Sequence, residues 1–279
     1  MKAVPVPTRA SLALRPKQPV NLLLTAAVSA ILVLAYLVSA YVSPWSPKRG
    51  LGLVFGFLAA LLFVFEMLYP ARRPKARPFF TARNWIQAHV YLGVVAMLAV
   101  VIHAGFSWPH GAFGWWLLLL SAWTTATGLA GVGLQKWIPA ALAEGLRVEA
   151  LYERIPELLE KLLAEADALM EDASDVLERF YRSEVRDALS KVRPSWSYLM
   201  DVRGGRDRAL EPFRRMAQFV DPEEKEKLED LTSLYTEKME LDAHYSLQGI
   251  LRRWLVLHVP PAGLLMALLL IHVFGWVWY

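Results

Sequence analysis

Along this chain the apolar residues fall into blocks that are long and nearly free of charge. Four such runs occupy 21–42, 51–69, 85–106 and 113–134, and a fifth occupies 254–279. At about 1.5 Å per helical residue, each is long enough to cross the roughly 30 Å hydrocarbon layer of a bilayer. The first run is too long for a secretory leader and no small-residue cleavage site follows it, so it is read as a span. Between the fourth and fifth runs the pattern changes. Ile155, Leu158, Leu159, Leu162, Leu163, Ala166, Leu169 and Met170 recur at helical spacing, and Val176, Leu177 and Phe180 extend the stripe. Pro194, Gly204, Gly205 and Pro212 then break the pattern. At 221–224 the sequence Asp-Pro-Glu-Glu predicts a helix start, with Asp221 as cap, Pro222 in the first turn and the glutamates at the positive end of the dipole. Nothing interrupts that helix before Gly249, so it is expected to run into the fifth span.

The pattern predicts an all-α integral membrane protein. Residues 1–20 form a tail, 21–138 hold spans one to four, 139–253 form a helical hairpin insertion, and 254–279 form span five. Composition agrees: 56% of the 279 residues are hydrophobic and the mean hydropathy is +0.32. The net charge of +4 does not point to nucleic acid, because the basic residues lie beside the spans, where lipid headgroups and topology account for them. Lys2, Arg9, Arg15 and Lys17 precede span one, and Arg72, Arg73, Lys75, Arg77 and Arg83 separate spans two and three. The opposite loops carry only Lys48 and Arg49. The positive-inside rule then predicts a cytoplasmic N-terminus and insertion, in a prokaryotic inner membrane. The absence of cysteine excludes disulfides, thiolate-held clusters and covalently attached haem.

The histidines carry the chemistry. His89 and His103 bracket the third span in HVYLGVVAMLAVVIH, and His258 and His272 bracket the fifth in HVPPAGLLMALLLIH. Both intervals are fourteen residues, about 1400° of helix and about 21 Å of rise, so each helix shows both imidazoles on nearly one side. Spans three and five run in the same direction, which pairs His89 with His258 on the cytoplasmic side and His103 with His272 on the outer side. Two axial nitrogens across an apolar slot suit a haem iron, so two haems b are expected, one per leaflet. Interhelical hydrogen bonding, a proton relay, or zinc or copper sites are the competing readings.

Paired histidines at this interval resemble the di-haem four-helix core of cytochrome b from quinol:cytochrome c reductases. They resemble equally the transmembrane domain of ferric reductases and NADPH oxidases, whose ligands also sit on the third and fifth spans. The resemblance covers spans two to five. It implies glycines that make room for porphyrin, for which Gly52, Gly56, Gly114 and Gly128 are candidates, with Gly93 and Gly105 beside the ligands of span three. The chain departs from both families: it reaches Tyr279 without a flavin or nicotinamide domain, and its long insertion matches neither pattern.

Arg83, Arg252 and Arg253 flank the cytoplasmic histidines and are candidate partners of haem propionates. Glu66, the acidic residue within a span, is expected to snorkel to the interface, with proton acceptance from a quinol as the alternative. His110 is expected in a loop, His244 in a structural role, and Pro260 and Pro261 at a kink. Together these readings predict a membrane subunit that carries electrons across the bilayer, with quinone or a flavoprotein, iron–sulfur or multihaem cytochrome partner. The alternative is a transmembrane ferric or oxygen reductase fed by a separate flavoprotein.

Overall fold

The computed structural model describes residues 19–68, 82–145, 152–199 and 205–278. Residues 1–18 and 69–81, which hold all but Arg83 of the basic residues that set the expected orientation, lie outside them. Every regular element among the described residues is helical, and five helices are long and apolar enough to cross a membrane. They are α1 (Pro19–Val42), α2 (Gly50–Met67), α3 (Ala82–His103), α4 (Ala112–Gly145) and α10 (Lys225–Trp278). Between α4 and α10 come α5 (Ile155–Leu169), α6 (Asp175–Phe180), α7 (Arg186–Ser190), α8 (Arg206–Ala209) and α9 (Glu211–Met216). The chain forms two compact units, 1–133 with 254–279, and 134–253.

The first unit packs α2, α3, α4 and the last part of α10 around Phe63, Ala96, Leu120 and Leu265. Ala59, Ala96 and Ala99 are buried where helices approach closely, the small-residue packing expected where lipid supplies no hydrophobic drive between helices. Helix α1 buries nothing over its apolar window, and its large side chains, such as Leu23, Ile31 and Leu34, point outward. Its hydrogen bonds go to α3 and to the turn that follows it: Asn21 donates to Gln87 at 2.8 Å, and the Tyr36 hydroxyl donates to the Gly105 carbonyl at 3.3 Å.

Helix α3 stops at His103, three residues before the expected end of its span. The Phe106 N–H reaches the Val101 carbonyl and the Gly105 N–H reaches that of Ile102, with Gly105 at φ +66°. This glycine-terminated cap satisfies the last carbonyls and turns the chain out of the helix. Gly105 thus ends a helix, and the Trp45 indole packs where its Cβ would stand. Helix α4 instead continues through Pro139 to Gly145, beyond the expected end of span four.

The second unit has a core of its own. Ile155, Leu159, Leu162, Ala166 and Met170 of the predicted stripe are buried, together with Leu177 and Phe180, against Leu228, Leu231, Leu234 and Leu241 of α10. Val176, expected in the same stripe, is 46% exposed. The two helices anticipated for the insertion correspond to α5 and the first part of α10; the short helices α6 to α9 lie between them in sequence, and Phe213 of α9 packs its ring 5.2 Å from that of Phe180. The Asp-Pro-Glu-Glu start forms a single 3-10 turn before α10. Asp221 occupies the cap position without a side-chain cap bond. Glu224 turns instead to Ser174, accepting from its backbone N–H at 2.5 Å and from its hydroxyl. From Lys225 the helix runs unbroken past Gly249, Pro260 and Pro261, as the absence of breakers before Gly249 led us to expect.

Candidate functional site

Four imidazoles meet in pairs inside the first unit. The rings of His89 and His258 lie 6.3 Å apart, centre to centre, and those of His103 and His272 lie 6.5 Å apart. Within each pair the ring planes are nearly perpendicular, at 85° and 80°. The two pairs are the ones that parallel helices and equal intervals required. Their spacing has a chemical meaning. Directly hydrogen-bonded imidazoles would bring their centres to roughly 5 Å. One ion held between them, with about 2 Å to each nitrogen and about 1 Å from nitrogen to ring centre, sets them roughly 6 Å apart.

In three of the four rings Nδ1 has a neighbouring acceptor. His103 Nδ1 lies 2.8 Å from the Gly52 carbonyl of α2. A carbonyl only accepts, so His103 carries its proton on Nδ1 and presents a lone pair at Nε2. His258 Nδ1 lies 2.9 Å from Thr127 Oγ1 on α4. The Thr127 hydroxyl donates to the Trp123 carbonyl at 2.8 Å, which leaves its oxygen to accept from His258. Glu66 Oε2 meets His89 Nδ1. The expectation that Glu66 snorkels is therefore corrected: its side chain is 11% exposed and engages a histidine of α3. Three of the four rings are thus turned by an acceptor, the arrangement that orients metal-binding histidines. His272 is held by stacking on Phe113, with ring centres 6.1 Å apart.

Glycine makes the close approaches possible. A Cβ at Gly56 would stand 2.7 Å from two atoms of the His103 ring, and one at Gly128 would stand 3.4 Å from His258 Cε1. Gly52 and Gly56 are one turn apart on α2: Gly52 offers its carbonyl to His103 while its missing Cβ makes room for the Ser46 backbone, and Gly56 leaves the space for the ring. At Gly131 a Cβ would overlap the Trp254 indole, which stacks on His258 and donates to the Thr127 carbonyl at 2.7 Å. Gly114 faces Pro109, and Gly93 faces Glu66 at ordinary contact distance.

The arginines sort differently. Arg252 contacts Glu153 and sits 4.3 Å over the Tyr152 ring, and Arg253 sits 5.0 Å over Trp196. Arg83 lies in the first turn of α3, and its side chain is outside the described residues. His110 is exposed in a loop, and His244 is buried in the second unit.

Among the described residues no three His, Asp or Glu side chains converge as ligands of one ion. A zinc or copper centre built from protein donors alone needs that third ligand. Two imidazoles per site, one from each helix, would suit a group that brings its other donors with it, such as a porphyrin-held iron. No family model matches this chain, and no curated protein and no solved structure matches it.

Proposed function

We propose that this chain is a di-haem b-type cytochrome, a membrane subunit that carries electrons across the bilayer. The observation that carries the reading is the pair of ring separations, 6.3 and 6.5 Å, repeated at the two ends of one helix pair. Haem, when bound, supplies the one-electron chemistry of its iron. The chain's part is ligation, orientation and exclusion of water. His89 and His258 hold one haem, and His103 and His272 hold the other. Glu66, Gly52 and Thr127 keep the ligand rings in register, while Gly56 and Gly128 give two of them room. About 21 Å of helix rise separates the two levels, which brings the edges of two macrocycles near each other.

The likeness to the cytochrome b core and to the ferric reductase and NADPH oxidase transmembrane domain supports the same reading. With the N-terminus in the cytoplasm, the His89/His258 haem lies toward that surface and the second unit is a cytoplasmic docking surface. Its partner is a flavoprotein, an iron–sulfur subunit or a multihaem cytochrome, and quinone is the candidate lipid-phase carrier. Arg83, Arg252 and Arg253 are the candidate propionate partners, and in this structure Arg252 meets Glu153 and Tyr152 while Arg253 meets Trp196.

A reduced-minus-oxidised visible spectrum of the purified chain is expected to show b-type bands, with two haems per polypeptide by the pyridine haemochrome assay. Protein that is folded and carries no haem overturns the reading. A finer expectation concerns Gly56. The added methyl of Gly56→Ala meets an imidazole already held by the Gly52 carbonyl, so the ring must tilt away from its ligating position. The variant should lose occupancy at the His103/His272 level and keep the other haem, which the same assay reads as a fall toward one haem per chain.

A further inference from the structure

The acceptors facing His89, His103 and His258 are unequal. His103 faces a neutral backbone carbonyl and His258 a neutral hydroxyl. Only His89, among the rings whose partner is identified, faces a carboxyl group. Acidic groups inside an apolar span are costly, and the cost is normally tolerated where the group has a task. Glu66 Oε1 is buried without a hydrogen-bond partner among the described residues, and the close contact of this carboxyl group runs from Oε2 to His89 Nδ1.

Resting on the di-haem reading, we infer that Glu66 is a positioning residue for His89 that makes the His89/His258 haem the lower-potential of the two. A carboxylate draws the Nδ1 proton toward itself more strongly than a carbonyl or hydroxyl does. Electron density then rises at Nε2, and His89 becomes a stronger donor to ferric iron. The negative charge beside the ligand favours the oxidised state by direct attraction as well, an effect enlarged where water is excluded. Both effects lower the reduction potential at this level. With both haems held, the His89/His258 level would be the one-electron donor and the His103/His272 level the acceptor, with no proton exchanged. Under the cytoplasmic N-terminus proposed above, electrons leave the cytoplasmic side and arrive at the outer side. That direction favours partners that donate from the cytoplasm.

The test is a potentiometric titration of the visible bands of the full chain in detergent. Wild type is expected to titrate as two components. His103→Ala, which keeps only the level next to Glu66, should retain the lower one. Glu66→Gln keeps size and hydrogen bonding but removes the charge; it should raise the lower component and leave the higher one in place. Glu66→Asp should restore a low value for that component. Retention of the higher component by His103→Ala overturns the inference, as does a Glu66→Gln protein in which neither component moves or both move equally. If Glu66→Gln does not accumulate as folded protein, the His103→Ala assignment decides the matter alone, since it leaves Glu66 intact. Haem content separates this inference from the reading beneath it: two haems with the wrong ordering refute only the role of Glu66, and no haem in folded wild type refutes both.

Discussion

Replacing His103 with alanine is expected to lower the haem content of the purified chain from two per polypeptide to one. In this reading each haem would be held by one histidine from α3 and one from α10, and the two levels share no ligand. His103 faces His272 at 6.5 Å, and its loss leaves that histidine opposite an alanine too short to reach a metal. His89 and His258 keep their own partners, Glu66 and Thr127, neither of which touches the other level. His272→Ala should give the same stoichiometry as His103→Ala, and His89→Ala the same as His258→Ala. A double variant with one histidine removed at each level should bind none. Pyridine haemochrome against protein concentration measures all five proteins. Loss of both haems from a folded single variant, or of neither, would break the pairing.

The second large effect lies in the other unit. Lys238→Met should open the insertion to proteases at least about a hundredfold faster than wild type. Lys238 and Asp242 stand one turn apart on α10 with side chains 3% and 4% exposed, joined at 2.5 Å. Burial pushes the Lys238 ammonium down from its ordinary range and the Asp242 carboxyl up, so desolvation outweighs the attraction between them. Each is tolerable because the other is there. The Arg193 backbone N–H adds one bond to Asp242 Oδ1 at 3.0 Å, which does not replace a cation. Removing one member of such a pair costs about 3–5 kcal/mol, because the survivor stays buried and uncompensated. At about 1.4 kcal/mol per factor of ten in the opening equilibrium, native-state proteolysis of the full chain reports the loss as a rate. The double variant Lys238→Met with Asp242→Leu should recover most of the resistance, since an apolar pair of similar volume carries no desolvation cost. A single variant as resistant as wild type would mean that the pair contributes nothing to the insertion.

The four paired imidazoles were legible from residue order alone because the constraint on them is one-dimensional. A fixed interval on a helix sets rotation and height, and alternating spans set direction, so partners follow without any knowledge of packing. The spans were legible for a related reason, since length and apolarity are properties of the chain itself. Helix ends were not. His103 closes α3 and α4 passes Pro139, because those limits depend on the Gly105 cap and on which side chains the last turns meet.

The groups that turn the ligand rings could not be read in the same way. The Gly52 carbonyl has no residue type to mark it, Thr127 is one hydroxyl in a run of threonines, and Glu66 looks like an anchor near a span end. Each acquires meaning only when a neighbouring helix brings a histidine nitrogen within about 3 Å, a distance set by how closely two backbones pack. The bare face at Gly56 is of the same kind, legible as glycine but not as the place for a particular ring. In the insertion, the stripe on α5 announced a core through its period, whereas the burial of Lys238 and Asp242 did not, since periodicity sorts charged residues onto the solvent face. Packing on several sides of α10 overrides that sorting. Sequence by itself determined the helical class, the five spans and the histidine pairs, all set by spacing along one chain. Tertiary structure alone decided which acceptors orient three of the rings and which charges are buried, because those depend on how segments far apart in the chain pack together.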